Sequence, residues 1–197
     1  MAGNTENGGG GRRGRFWRIA PWVIATLILL LPLVAMQFTD EVVWDETDFI
    51  VFGAMLVAAG GTFELAARMS GNNAYRAAVG VAVAAAFILV WMNLAVRIIG
   101  SEDNPANLMY GGVLAVAVIG AVIGRFQPAE MGRAVSATAL AQVLVGVIAL
   151  IAGFGSTAPS FPEAIVFLTG FFAALWLLSA YLFRKAAQEQ TSLCSAP

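Results

Sequence analysis

Residues 134–155 read AVSATALAQVLVGVIALIAGFG and contain no charged side chain. A helix of about 20 mostly apolar residues is long enough to cross a hydrocarbon core about 30 Å thick. The stretch therefore predicts a transmembrane helix, and Gln142 is the one amide side chain inside it.

Further apolar stretches of similar length occur at residues 16–38, 49–69, 77–99, 108–124 and 164–183. The whole chain is 59% hydrophobic, well above the roughly 45–50% of soluble domains. This pattern predicts an all-α integral membrane protein, a compact bundle of six transmembrane helices over residues 16–185. The glycine-rich residues 1–15 are expected to form a disordered cytoplasmic tail, and residues 186–197 a short cytoplasmic tail.

The basic residues set the predicted orientation. Ten of the eleven Lys and Arg residues fall in segments that six spans would leave on one side of the membrane. They are Arg12, Arg13, Arg15, Arg18, Arg68, Arg76, Arg125, Arg133, Arg184 and Lys185. Because basic residues favour the cytoplasmic side of short loops, both termini are predicted to be cytoplasmic. The first apolar run also fits a cleaved signal peptide, but it is longer than the usual core of about 7–15 residues, which favours a retained helix.

Missing residue types exclude several functions. The chain has no histidine and a single cysteine, Cys194, whereas haem, zinc and di-iron sites depend on such side chains. No set of nucleophile, base and metal ligand is spaced for catalysis, so we expect a non-enzyme without metal or cofactor. Nucleic acid is not an expected partner either, because the chain lacks a basic face.

Glu64 is the carboxylate placed deepest inside a predicted span. An ionisable group within a membrane is costly and is a functional candidate by default. Arg68 follows four residues later, at the spacing of a helical ion pair. Two interpretations remain: a structural ion pair near the inner surface, which is favoured, or a functional intramembrane acid.

Asn93 and Arg97 lie one helical turn apart in the third predicted span, and Arg97 is the only base near the predicted outer surface. Glu102 and Asp103 follow in the next loop. Arg97 either snorkels towards that loop or guards an outward-facing cavity, with Asn93 as a polar contact beneath it. In the second case the acids of this loop and of residues 40–48 would form an outer mouth that attracts cations.

Other residues point to contacts between helices. Gln142, alone in its span, more often joins helices through a hydrogen bond than binds a solute. Gly120 and Gly124 have the spacing that lets two helix backbones approach closely. That approach would occur within a compact bundle or at a homodimer face.

The second and third predicted helices match the fourth and fifth when the sequence is shifted by 57 residues. Arg68 then falls on Arg125, and Arg76 falls on Arg133. Transporters often contain duplicated helical units, so a duplicated hairpin is one interpretation, although it is not the favoured one. The alternative is that orientation and the helix dipole impose the same pattern on each inward-running helix.

Several stretches carry a resemblance to other proteins, namely residues 74–80, 91–96, 98–110, 137–142, 170–175 and 183–187. They resemble a group of small, uncharacterised bacterial multi-pass membrane proteins, over about residues 45–187. The resemblance implies a location in the bacterial inner membrane. It transfers no activity and no catalytic residue.

Two functions remain open at this point. The first, favoured by the sparse polarity of the spans, is a non-enzymatic structural or accessory membrane protein. Its partners would be the lipid bilayer and either a further copy of the chain or another membrane protein. The second is a small transporter or channel that takes in a solute through the acidic outer mouth.

Overall fold

The computed structural model describes residues 10–95, 99, 105–156 and 161–195, and the side chains of 22–95, 99, 106–156 and 161–192 among them. Every regular element in these ranges is helical. The α-helices are α1 (Gly10–Ala35), α2 (Glu46–Met69), α3 (Asn73–Ala95), α4 (Met109–Ile123), α5 (Pro128–Ile151) and α6 (Glu163–Ser195). A 3₁₀ helix at Pro105–Leu108 leads directly into α4.

Five of these helices are long and apolar enough to cross a membrane. They are α2, α3, α4 together with the 3₁₀ turn before it, α5 and α6. α1 is apolar over Trp22–Ala35, the part whose side chains are described. The chain is thus an all-helical, multi-pass membrane protein.

Two helices extend beyond the predicted apolar spans. α1 begins at Gly10, within the segment expected to be disordered, and α6 continues to Ser195. Lys, Arg, Ala, Gln and Glu have high intrinsic helix propensity, and residues of these types follow the last span at 184–190. The helix therefore continues after the apolar residues end.

The start of α2 is fixed by its own sequence. Asp45 Oδ1 accepts from the Asp48 N–H at 2.9 Å, and Asp48 Oδ2 accepts from the Asp45 N–H at 3.0 Å. This reciprocal pair is a capping box, here with two aspartates. Trp44, just before the cap, packs edge-on against Phe49 with ring centroids 5.2 Å apart, as in a hydrophobic staple.

The next helices also begin at clear signals. Asn72 precedes α3, and its Oδ1 accepts from the Tyr75 N–H at 2.9 Å. Pro128 is the first residue of α5, after an extended Gln127. Proline suits this position because its ring fixes a helical φ where no N–H is needed.

The chain divides into two compact units, Met1–Gly61 and Thr62–Pro197. In the first unit, Gly53 of α2 lies against Leu29 of α1, and Gly60 lies against Trp22. In the second unit, α6 packs against both α3 and α5, and α4 packs against α5.

The second unit places large apolar side chains on both its inside and its outside. Trp176 and Phe183 of α6 are fully buried, whereas Leu140 and Ile151 of α5 are exposed. The buried residues of α5 recur every three or four positions and include glycine, alanine, threonine and glutamine. An apolar exterior around an interior with small and polar residues is expected where hydrocarbon replaces water as the solvent.

Candidate functional site

Glu64 and Arg68 form an ion pair on α2. Arg68 Nη2 donates to Glu64 Oε1 across one helical turn. The Glu64 side chain keeps 34% of its surface exposed, and the Arg68 side chain 65%. The carboxylate is therefore held at the protein surface by its neighbour and is not enclosed in the core.

Asn93 contacts the backbone that enters α4. Its Nδ2 donates to the Asn107 carbonyl oxygen at 3.0 Å. Asn107 is buried, and its side chain accepts from the Ile99 N–H at 2.9 Å and donates to the Ile99 carbonyl at 3.2 Å. The Asn107 side chain thus pairs both the N–H and the carbonyl of Ile99, which is fully buried. We call these two hydrogen bonds the Asn107 clamp, and Asn93 bonds to the backbone of the same residue.

Asn107 was missed by the sequence analysis. The available signal was an amide immediately before an apolar span, in the run Asn104-Pro105-Ala106-Asn107. Such a residue commonly bonds to nearby backbone in turns. Its hydrogen bonds to Ile99, eight residues earlier in the chain, depend on how the folded chain brings the two residues together.

Arg97, Glu102 and Asp103 lie outside the described residues. Of the other acids expected at the outer mouth, Asp45 and Asp48 are engaged in the cap of α2. These two carboxylates therefore stabilise a helix end, whatever their effect on approaching ions.

Buried polar atoms without a hydrogen-bond partner occur on three helices of the second unit. Within the described residues they are Tyr110 Oη on α4, Gln142 Oε1 and Nε2 on α5, and Thr169 Oγ1 and Trp176 Nε1 on α6. Leaving a buried donor or acceptor unpaired costs about 1–3 kcal/mol. By contrast, the buried Ser179 hydroxyl donates to the Ala78 carbonyl at 2.8 Å. The unpaired groups could each accept or donate one further hydrogen bond.

Helix register places these groups near one another along the bundle. A Cβ added at Gly146 would meet Thr169 Oγ1 on the antiparallel α6, so these two residues share a level. Gln142 is one turn from Gly146, about 6 Å along the axis, which puts its level between those of Thr169 and Trp176. On α4, Gly120 lies against Ala134 and Gly124 lies against Glu130. With the two helices in this register, Tyr110 lies within about one helical turn of Gln142 along the bundle axis.

The described interior is polar in places but carries no charge. The buried polar residues in it are Asn107, Thr138, Gln142 and Ser179. Among the described residues, no three His, Cys, Asp or Glu side chains come together to hold a metal ion. The described buried polar side chains of the second unit are all uncharged groups that donate or accept hydrogen bonds.

No protein-family model, no curated protein and no solved structure matches this chain. The class of protein rests on the helices themselves: a multi-pass helical membrane protein with a described interior that is uncharged.

Proposed function

We propose that the chain is a non-enzymatic protein of the bacterial inner membrane with a structural or accessory role. The observation that carries this proposal is that Glu64 and Asn93, two of the polar candidate residues, have partners within the protein. Arg68 engages Glu64, and the Asn107 backbone engages Asn93. Large apolar side chains meanwhile cover the exposed faces of α1, α2, α4, α5 and α6. Such a surface suits lipid and other transmembrane helices, so the proposed partners are the bilayer and a second copy or another membrane protein.

The proposed topology has six spans with both termini in the cytoplasm. This topology is supported by the ten basic residues that the predicted spans leave on one side of the membrane.

A duplicated hairpin is part of the proposal. With a shift of 57 residues, the bounds of α3 fall within two residues of those of α5. The match is looser at the other helix, since Arg68 lies within α2 whereas Arg125 lies beyond α4 in a left-handed turn. A cryo-EM structure in which the α2–α3 hairpin fails to superpose on the α4–α5 hairpin would contradict the duplication.

Site-specific photo-crosslinking in native membranes tests the accessory role. A photoreactive residue at Leu31, which is 65% exposed on α1, should yield a discrete adduct with a copy of the chain or with one other membrane protein. The same residue at Leu89, which is fully buried, serves as the matched control and should yield none. Adducts with lipid alone at Leu31 and at further exposed positions, together with solute flux through the purified protein, would contradict the proposal.

Transport of a small neutral solute is the second candidate function. The unpaired groups of Tyr110, Gln142, Thr169 and Trp176 favour it, because such groups could bind a molecule that both donates and accepts hydrogen bonds. The absence of buried charge among the described residues favours a neutral solute over an ion. This differs from the cation expected from the acidic outer mouth.

Flux into proteoliposomes separates the two candidates. Under the transport hypothesis, the protein should speed entry of water, urea or glycerol, and Gln142→Leu should abolish this while the protein stays folded. Ser136→Ala, at a part-buried hydroxyl that donates to the Gly132 carbonyl and accepts from Arg184, is the control and should retain the flux. Entry no faster than in protein-free vesicles for all three solutes would exclude transport of this class.

A further inference from the structure

A cavity of about 270 Å³ opens at the end of the second unit where the α2–α3 and α4–α5 connections meet α6. Its wall includes Met69, Ser70, Tyr75, Phe126, Gln127 and Gln190. The amides and the Ser70 hydroxyl offer hydrogen-bond donors, and the methionine and phenylalanine supply an apolar side. The lining is thus amphipathic, like a molecule that lies at a membrane surface.

The cavity wall is held by specific hydrogen bonds. The Tyr75 hydroxyl donates to the Phe126 carbonyl at 2.9 Å, which ties the start of α3 to the α4–α5 turn. Asn72 Nδ2 donates to Glu189 Oε2 at 2.8 Å, which ties the same region to α6. The space is therefore framed by three connected segments.

The α4–α5 turn adopts an uncommon backbone at this wall. Arg125 and Phe126 have φ values of 48° and 58°, the left-handed region that glycine or asparagine usually occupies. A non-glycine residue held there costs about 1–3 kcal/mol, and such strain is concentrated at functional sites. Arg125 directly precedes the wall residue Phe126 in this turn, and its side chain is exposed.

Two arginines are direct chain neighbours of uncharged residues in the cavity wall. Arg76 and Arg125 each adjoin a wall residue in the chain, Tyr75 and Phe126 respectively. Neither guanidinium meets an acceptor on the described residues, whereas Arg68 pairs with Glu64, Arg133 with Glu130, and Arg184 with the Ser136 hydroxyl. The one described acid next to the wall, Glu189, already accepts from Asn72.

We propose that this cavity binds the phosphate headgroup of an anionic phospholipid. Two guanidinium groups can bind phosphate oxygens through charge-assisted hydrogen bonds. The amides would bind the glycerol portion, and Met69 and Phe126 would meet the start of the acyl chains. Basic pockets between transmembrane helices on the cytoplasmic side are suited to such headgroups. The inference rests on the proposed membrane topology, but not on an accessory or a transport role.

Binding is measured with the full-length protein in nanodiscs of phosphatidylcholine that contain increasing phosphatidylglycerol. Phosphatidylglycerol should raise the thermal midpoint, since a ligand that binds only the folded state stabilises it. Arg76→Gln and Arg125→Asn should each weaken the apparent affinity by about tenfold, the loss of one charge-assisted hydrogen bond. Asparagine at 125 tolerates the left-handed backbone and so separates charge from folding.

Lys185→Gln is the matched control. Lys185 is exposed and, like the two arginines, meets no acceptor on the described residues, but it does not adjoin the cavity wall. This variant should bind phosphatidylglycerol as the unmodified protein does. An equal loss in all three variants would show surface attraction alone and overturn the proposal.

Soluble anions form the last arm of the experiment. Inorganic phosphate and glycerol phosphate, added to the protein in phosphatidylcholine nanodiscs, should stabilise it far less than the lipid does. Equal stabilisation by either anion would assign the cavity to a soluble phosphate compound and overturn the lipid occupant. No response to phosphatidylglycerol would overturn the site itself, and neither outcome would affect the crosslinking or flux results.

Discussion

Asn107 shows what a single buried amide can do in a membrane protein. Its side chain bonds to both the N–H and the carbonyl of Ile99, and its own carbonyl accepts from Asn93. Asn107 and Ile99 are both buried, so the loss of these hydrogen bonds would leave buried polar groups unpaired. Asn107 therefore joins the 3₁₀ turn before α4 to Ile99 and to Asn93 of α3.

Replacing Asn107 with alanine should be strongly destabilising. Two buried backbone groups of Ile99 would lose their partner, and each unpaired group costs about 1–3 kcal/mol. Asn73→Ala, at an exposed residue of α3, is the control and should change stability by less than about 0.5 kcal/mol. Unfolding in detergent measures both, and equal losses would show that the clamp contributes nothing.

Single residues also show what sequence can and cannot reveal about the candidate site. The Glu64–Arg68 pair follows from its i,i+4 spacing, because helix geometry alone brings the two together. Asn93 is a polar group within α3, but its partner is the Asn107 carbonyl in the 3₁₀ turn before α4, which the local sequence does not reveal. Whether Gln142 has a partner depends on how α5 and α6 align, which no single segment specifies.

At the scale of the helices, glycine sets how closely α4 and α5 approach. A Cβ at Gly120 would lie 2.6 Å from the Ala134 Cβ and 3.3 Å from its Cα. A Cβ at Gly124 would lie 2.7 Å from the Glu130 Cβ. The glycine pair noted in the sequence thus serves a contact within the chain.

Gly120→Ala and Gly111→Ala form a matched test on one helix. At Gly120 the added methyl group must displace backbone, and overpacking of this kind costs about 1–3 kcal/mol. Nothing lies within 4 Å of a Cβ at Gly111, so alanine there should be neutral or stabilising by up to about 1 kcal/mol. Unfolding in detergent compares the two, and equal effects would mean that close packing at Gly120 is unimportant.

Most of the helices could be predicted from apolar length and capping residues, but their ends and neighbours could not. Gly124 looks like a left-handed helix terminator, yet it is needed for the approach to Glu130, and the left-handed residue is Arg125. The helices are apolar on nearly every side, so periodicity does not separate lipid-facing from buried positions. Which helices pair is decided by small residues that match across an interface.

For the whole molecule, the distribution of charge makes a prediction about orientation. Reporter fusions at residues 45, 103 and 158 should behave as periplasmic, and those at residues 72, 129 and 190 as cytoplasmic. The reason is the ten bases that the predicted spans leave on one side. Consistent inversion of all six reporters would reverse the topology while leaving the helices unchanged.

The central position of α6 in the second unit also bears on biogenesis. α6 packs against both α3 and α5, and its Ser179 hydroxyl meets the Ala78 carbonyl, yet it is the last of the described helices to leave the ribosome. Until it inserts, the faces of α3 and α5 that it will cover stay open to lipid. Nascent chains halted before Glu163 would leave these faces uncovered and would become targets of membrane quality control. The second unit would close only after α6 has been translated and inserted.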